Sequence, residues 1–199
     1  MGGRPIHSEL QVLVFSNVAR EIIEKLGWIT YFTRLQQPHE TVATMILQNF
    51  QEGYSMVRGI QIAVTDEIIV EVSGLPAQGT IWTHKKVRLQ EAMNIFQEEG
   101  QTLVVKGKGV QLESLGEPWM ELAKVVQAYI TCDGRKDVVR PRHLKLLVVL
   151  KKKCTVNFPA FLNSLLDDIA HSIRKAWHTD MVVSHHFLIR LIVSRSLTQ

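Results

Sequence analysis

The stretch Tyr54-Ser55-Met56-Val57-Arg58-Gly59-Ile60-Gln61-Ile62-Ala63-Val64 runs directly into Thr65-Asp66-Glu67-Ile68-Ile69-Val70-Glu71-Val72-Ser73-Gly74-Leu75-Pro76, and its hydrophobic period changes at the junction. In the first part Met56, Ile60, Ile62 and Val64 alternate with polar residues around Arg58-Gly59, the pattern of two half-buried strands joined by a tight turn; a β-hairpin is predicted. In the second part the Thr65 hydroxyl can cap a helix whose first turn holds Asp66 and Glu67, both favoured by the helix dipole, with Ile68, Ile69 and Val72 turned inward. Gly74-Leu75-Pro76 ends that helix. A short hairpin set among helices is the motif from which the fold class follows.

Outward from this block, helical signals dominate. Upstream, Ser8-Glu9 precedes Val12, Val14, Phe15, Val18, Ile22, Ile23 and Leu26, a capped amphipathic helix ending at Gly27. A short aromatic segment follows from Trp28 to Leu35, and then a helix opened by Pro38 with Val42, Met45, Ile46 and Phe50 at helical spacing up to Gly53. Downstream, a loop over 77–86 holds Trp82, a helix covers Leu89 to Phe96, and Lys106-Gly107-Lys108-Gly109 joins two apolar runs as a second hairpin or a strand and loop. Helices are then predicted from Trp119 to Ile130, from Pro141 to about Lys152, from Pro159 through Trp177, and from Ser184 to Ser196. The reading is a mainly α protein: a single compact multi-helix domain of about seven helices with one or two small β-hairpins. Within 1–199, an N-terminal helical part, 1–76, and a C-terminal helical part, 87–199, are the natural subdivisions.

A hydrophobic content of 46% over 199 residues is enough for a substantial core and excludes the disordered class. The longest apolar run, Leu146 to Leu150, is far below the roughly 18 residues of a membrane span, and the N-terminus lacks the apolar stretch of a signal peptide. With only Cys132 and Cys154, a disulfide framework is not implied. These features predict a soluble, intracellular chain, nuclear or cytoplasmic, with no membrane partner and no small-molecule cofactor.

Charge is the second informative pattern. Residues 1–100 carry 8 Lys and Arg against 11 Asp and Glu, whereas residues 101–199 carry 15 against 8. The excess is concentrated where Arg135, Lys136, Arg140, Arg142, Lys145, Lys151, Lys152 and Lys153 are accompanied by a single acid, Asp137. On a helix opened by Pro141, with Arg142 at 0°, Lys145 falls at about 300°, Lys152 at about 280° and Lys153 at about 20°, so four cations share an arc of roughly 100°. Leu144, Leu147, Val148 and Leu150 form the opposite, core-facing side. A basic helix face attracts phosphate without any specific fold. The same lysines also fit a solvated face, because the dipole favours cations in a last helical turn and long lysine stems frame buried helices. The segment has no aromatic residue on which a base would stack.

Other constellations carry less. Lys106-Gly107-Lys108-Gly109 lacks the spacing of a P-loop. Asp167 and His171 are four apart on one helical face, with Ser184-His185-His186 and the two cysteines elsewhere, but zinc needs four converging ligands and no Cys-x-x-Cys or His-x-x-x-His pair is present. The acids Asp66, Glu67, Asp167 and Asp168 occupy helix ends and faces, where capping and solvation account for them, and Cys154 has no base partner in the sequence. No catalytic residue and no metal ligand is assigned. Trp28, Trp82, Trp119 and Trp177 are read as core anchors.

Several segments, taken in order, resemble the plant transposon protein domain, a plant-specific domain of mobile-element open reading frames. Gly27-Trp28-Ile29-Thr30-Tyr31-Phe32 is similar to its early Gly-Trp-x-x-Phe element, and Val57-Arg58-Gly59 with the alternation to Thr65, Ile69 and Gly74-Leu75-Pro76 is similar to its most recognisable block. Pro118-Trp119, Val139-Arg140-Pro141-Arg142 and Leu146-Leu147 resemble its later helices. His186-Phe187-Leu188-Ile189-Arg190-Leu191 resembles its terminal helix, with His186 and Arg190 departing from the pattern. The resemblance implies a helical domain derived from a mobile element. It supplies no catalytic residues and does not imply transposase activity.

Residues and resemblance together predict a non-enzymatic, mobile-element-derived domain that binds nucleic acid or another polyanion through its basic helix face. A protein–protein interaction or self-assembly module is the alternative, and metal-dependent nucleic-acid processing a third reading.

Overall fold

The computed structural model describes residues 16–34, 40–79, 88–97, 100, 102–131, 137–175 and 186–196. Among these the chain is mainly helical, with nine α-helices and two three-stranded antiparallel sheets. The chain divides into two compact units: Met1–Leu13, Leu26–Gln78 and Asn157–Gln199 make the first, and Val14–Lys25 and Gly79–Val156 the second. None of the described helices is long and apolar enough to cross a membrane.

In the first unit, α2 (Trp28–Arg34) opens behind Gly27, whose φ of 70° interrupts the helical path and makes the aromatic segment a separate helix. That break is one source of the helix count above seven. Trp28 is fully buried and meets Phe158 edge-on at 5.2 Å between ring centroids. The next helix, α3 (Glu40–Asn49), ends before Phe50, which the helical spacing had assigned to it. Phe50 instead begins β1 (Phe50–Gln51), which pairs with β2 (Tyr54–Val57), which pairs with β3 (Ile60–Ala63). Both connections are two-residue turns with positive φ at each position: Glu52 and Gly53 at 50° and 83°, Arg58 and Gly59 at 51° and 81°. These are the angles of type I′ turns, whose twist matches that of the strands. The hairpin predicted around Arg58-Gly59 is present in that register.

Ser55, buried on the inner side of β2, donates its hydroxyl to Ile46 O at 2.8 Å and so anchors the sheet to α3. Thr65 caps α4 (Asp66–Ser73), its hydroxyl accepting from Ile68 N–H, and Gly74 closes that helix in the left-handed conformation at φ 72°. The Arg34 guanidinium donates to Glu71 O and Val72 O at the same helix end, and a Cβ on Gly74 would lie 2.9 Å from Arg34 Cζ. Thus the Gly74-Leu75-Pro76 stop also makes room for an arginine cap. The unit is completed by α8 (Phe158–Lys175), whose first turn is capped by Asn157 Oδ1, and α9 (His186–Ser196), tied to α4 by an Arg195–Glu71 ion pair of 2.7 Å.

In the second unit, α1 (Asn17–Lys25) is capped by Ser16, which is itself gripped by the Glu121 carboxylate through both its N–H and its hydroxyl. The Ser8 cap and the apolar positions up to Phe15 lie outside the described residues. Helix α5 (Leu89–Gln97) buries Ala92, Met93 and Phe96. The Lys-Gly-Lys-Gly segment is a hairpin, β4 (Val105–Lys106) with β5 (Gly109–Gln111), and β6 (Val138–Val139) adds to its far edge. Helix α6 (Trp119–Val125) continues as a π turn over Val126–Ile130, closed by Thr131 N–H on Val126 O at 2.7 Å. Helix α7 (Pro141–Lys151) packs against α5 and α6.

Candidate polyanion-binding surface

Helix α7 and the residues flanking its two ends carry the basic segment that the structure describes. Pro141 occupies its first position, where a missing N–H costs nothing. Its inner face buries Leu144, Leu147, Val148 and Leu150, as the sequence predicts, and also His143 and Leu146. The cations divide into two groups along its axis. Arg140, Arg142 and Lys145 lie around the N-terminal turns, with Arg142 exposed and the other two half-buried, while Lys152 and Lys153 are exposed beyond the C-terminus. At a rise of 1.5 Å per residue, Lys145 and Lys152 are separated by about 10 Å along the helix axis.

The four-residue stripe is therefore not a single helical face. Lys152 is the C-cap, and Lys153 adopts φ 55°, outside the helix, so a 100° step no longer describes where its side chain goes. Lys151 departs further: its ammonium lies 5.0 Å from the Phe96 ring centroid and 5.2 Å from that of Trp119. It belongs to the packing between α7, α5 and α6 and not to the outer surface. A signal for this was present in the spacing, since nine residues at 100° put Lys151 about 180° from Arg142, on the leucine side. Arg135 and Lys136 lie outside the described residues.

The two groups have different electrostatic grounds. Lys152 and Lys153 sit where the helix C-terminus attracts cations, an ordinary structural preference. Arg140 and Arg142 sit at the opposite pole, where the exposed N–H groups and the dipole disfavour positive charge. Asp137, the single acid of the segment, is held by Lys106 at 2.9 Å from across the sheet, and this hydrogen bond is the main cause that raises the Lys106 ammonium above the usual lysine range. Lys106 is thus one partner of the only carboxylate within the run. Spacing could not reveal this, because the partners are 31 residues apart.

Beneath the surface, the buried His143 ring places Nε2 3.0 Å from Thr131 Oγ1, and Thr131 donates to Val126 O at 3.2 Å. The same ring nitrogen accepts from Arg142 Nε at 3.4 Å. This chain fixes the first turn of α7 onto the π turn.

The other sequence candidates resolve as structural groups or fall outside the described residues. Asp66 accepts from Asn163 Nδ2 at 2.7 Å, and the Thr65 hydroxyl, with the N–H of Glu67 itself, pulls the Glu67 carboxyl below the usual carboxylate range. Asp167, Asp168 and His171 are exposed on α8; among the described residues no group of three His, Cys, Asp or Glu is placed to hold a metal ion. Cys154 is exposed. Trp28 and Trp119 are core residues, whereas Trp82 and Trp177 lie outside the described residues.

Charge separates cleanly between the two units. The second holds 16 Lys and Arg against 10 Asp and Glu, the first 7 against 9. The whole basic excess of the chain thus resides in the unit that contains α7. Compared with protein-family models, with curated proteins and with solved structures, the chain matches none.

Proposed function

We propose that the unit of residues 14–25 and 79–156 binds a polyanion, nucleic acid in the first instance, through Arg140, Arg142, Lys145, Lys152 and Lys153, with Arg135 and Lys136 extending the surface. The observation that supports this reading most directly is the pair of arginines at the N-terminal pole of α7, a position that the helix dipole disfavours for cations. Two cationic groups about 10 Å apart along one axis suit contact with successive phosphates of a backbone. The interface reads charge and not sequence. A role as a non-enzymatic, mobile-element-derived domain, nuclear or cytoplasmic, follows from the same reading together with the resemblance of its sequence blocks to the plant transposon protein domain.

Fluorescence anisotropy with duplex DNA, single-stranded DNA and RNA over a salt series tests it. Binding through these five cations gives a slope of log K against log salt of about −4.5 on duplex, and replacing Arg142, Lys145, Lys152 and Lys153 with Glu makes it shallower by about 3.6. Equal slopes for wild type and variant would remove the proposal.

A second reading, an interaction or self-assembly module, is favoured by the outer face of the first hairpin, where Tyr54 and Met56 are 46% and 52% exposed. Light scattering at high concentration addresses it: dimers that dissociate on Met56→Lys support assembly, and a strict monomer excludes it.

A further inference from the structure

The first sheet has two outer strands, and among the described residues only one of them is closed by another group. At the Glu52-Gly53 turn, Gln51 and Tyr54 form the hydrogen-bonded pair that adjoins the turn, so the N–H and C=O of Phe50 point away from β2. Arg174 of α8 donates to Phe50 O and caps that edge. On the other side, Val57 and Ile60 adjoin the Arg58-Gly59 turn, and the bonded pairs alternate away from it. Ser55 pairs with Ile62, and Val64 N–H reaches Gly53 O at 2.7 Å. The same alternation turns the N–H and C=O of Gln61 and Ala63 away from β2, toward the outer edge of β3.

Among the described residues no group bonds to those four backbone atoms. Helix α9 meets β3 on the inner face, where Val193 lies over a cavity it shares with Val57, Ile60 and Ile62, so the helix leaves the edge itself uncovered. Edge strands are ordinarily protected by charge or proline. The outer strand of the second sheet, β4, ends on the exposed Lys106. By contrast, Ile60-Gln61-Ile62-Ala63 carries neither device, and Ile60 is 51% exposed.

We infer that a second copy of this chain pairs with β3, antiparallel about a twofold axis at Ile62. In that register Gln61 faces the partner's Ala63, and each of the two such pairs exchanges both of its N–H···O=C bonds, which satisfies every outward group of the strand. Charge selects a copy of this chain over an unrelated strand. Ile60 comes opposite the partner's Val64; two residues beyond each, Arg58 arrives beside the partner's Asp66 and Glu67, the acidic first turn of α4. Arg58 and Glu67 are both exposed, and the twofold repeats their attraction. On the outer face, Met56, Gln61, the partner's Ala63 and the partner's Tyr54 line up as an uncharged row. The interface is the strand edge and not the outer face alone, and it lies in the unit that does not carry α7, so it is independent of polyanion binding.

The test combines sedimentation equilibrium with amide hydrogen exchange on the full chain over a concentration series. A monomer–dimer equilibrium is expected, in which the Gln61 and Ala63 amides exchange more slowly as the dimer fills. Ala63→Pro removes an outward N–H that the hairpin does not use, and it abolishes the dimer with an unchanged circular dichroism spectrum. Gln61→Lys, an exposed substitution that asks nothing of the backbone, abolishes it by charging the edge. Arg58→Glu weakens association several-fold, and adding Glu67→Arg restores it. A strict monomer at every concentration overturns this inference together with assembly through the outer face. A dimer that dissociates on Met56→Lys but not on Gln61→Lys, with Gln61 and Ala63 amides exchanging at the monomer rate, overturns the edge pairing alone. Failure of the charge exchange to restore affinity overturns the register and with it the choice of a second copy.

Discussion

Lys151 points its ammonium at the ring of Phe96, 5.0 Å from the centroid, although its neighbours in sequence Lys152 and Lys153 are exposed. Trp119 is placed almost equally close, at 5.2 Å. A lysine clamped by two aromatic rings contributes through cation–π attraction and through its packed stem. Lys151→Ala is therefore expected to destabilise the protein by ~1–2 kcal/mol and to leave the salt slope of polyanion binding nearly unchanged. Lys152→Ala and Lys153→Ala should do the reverse, weakening binding with stability shifts within about 0.5 kcal/mol. Urea unfolding and anisotropy on the three variants check this; equal effects of Lys151 and Lys152 on binding would contradict the division.

Much of this arrangement was legible in local sequence, for a physical reason. Thr65 and Gly74 bound their helix through contacts within a few residues, and Arg58-Gly59 sets a turn whose strands adjoin it, so composition alone carries the information. The stripe on α7 was partly legible: its leucine face follows from period, but the helix ends at Lys151, and periodicity does not report where a chain leaves a helix. Three features were beyond local reading. The strands Phe50–Gln51 and Val138–Val139 are two residues long, too short to show alternation, and β6 reaches β5 from 27 positions away. The π turn at Val126–Ile130 preserves an apolar helical pattern while adding a residue to the turn. The cap on Phe50 O comes from Arg174, 124 positions later in the chain. Such pairings are tertiary, and no window of sequence contains both partners.

The Lys106–Asp137 pair yields an electrostatic prediction. Asp137→Asn removes the main cause of the raised Lys106 pKa, so the ammonium should titrate at a lower pH than in wild type. Because the folded-state pKa is raised, the stabilisation from this pair is fully present below the ordinary lysine range and is lost as pH rises through the folded value. At neutral pH the variant should also bind duplex more tightly with a steeper salt slope, since the carboxylate beside α7 is gone and Lys106 is released. NMR titration of Lys106 Nζ and anisotropy at two salt concentrations measure both effects; unchanged affinity would show that Asp137 lies outside the binding field.

Two glycines of the second sheet separate conformational from steric demand. Gly107 has φ 60° with open space where a Cβ would stand, so Gly107→Ala is expected to cost ~1 kcal/mol through left-handed strain alone. At Gly109 a Cβ would lie 2.5 Å from Val139 O and 2.7 Å from Val138 Cγ1, forcing β6 away from β5. Gly109→Ala should cost ~2–3 kcal/mol and loosen the sheet. Gly107→Asn, suited to positive φ, should be nearly neutral. Denaturant midpoints order the three, and hydrogen exchange at Gln111, the β5 residue paired with Val138, reports the loosening directly. Equal costs for the two alanine variants would mean that β6 moves aside freely.

Thr65 is bonded in two directions, accepting from Ile68 N–H at 3.5 Å and giving its hydroxyl proton to the Glu67 carboxylate. The acceptor bond is at the long limit, which puts the capping contribution toward the lower end of the usual range, so Thr65→Val is expected to destabilise by ~0.5–1 kcal/mol. The second bond makes that loss pH-dependent. The Glu67 carboxyl titrates below its usual value, chiefly because of the Thr65 hydroxyl, so its contribution is present above the unfolded carboxylate pKa and disappears as pH falls through the folded one. The difference in stability between wild type and Thr65→Val should therefore be larger at pH 7 and shrink as pH falls below the ordinary glutamate range through the lowered folded pKa. In the variant, the Glu67 carboxyl resonance should titrate closer to an ordinary glutamate. If Glu67 titrates identically in both proteins, the hydroxyl does not donate to it, and the cap rests on the Ile68 contact alone.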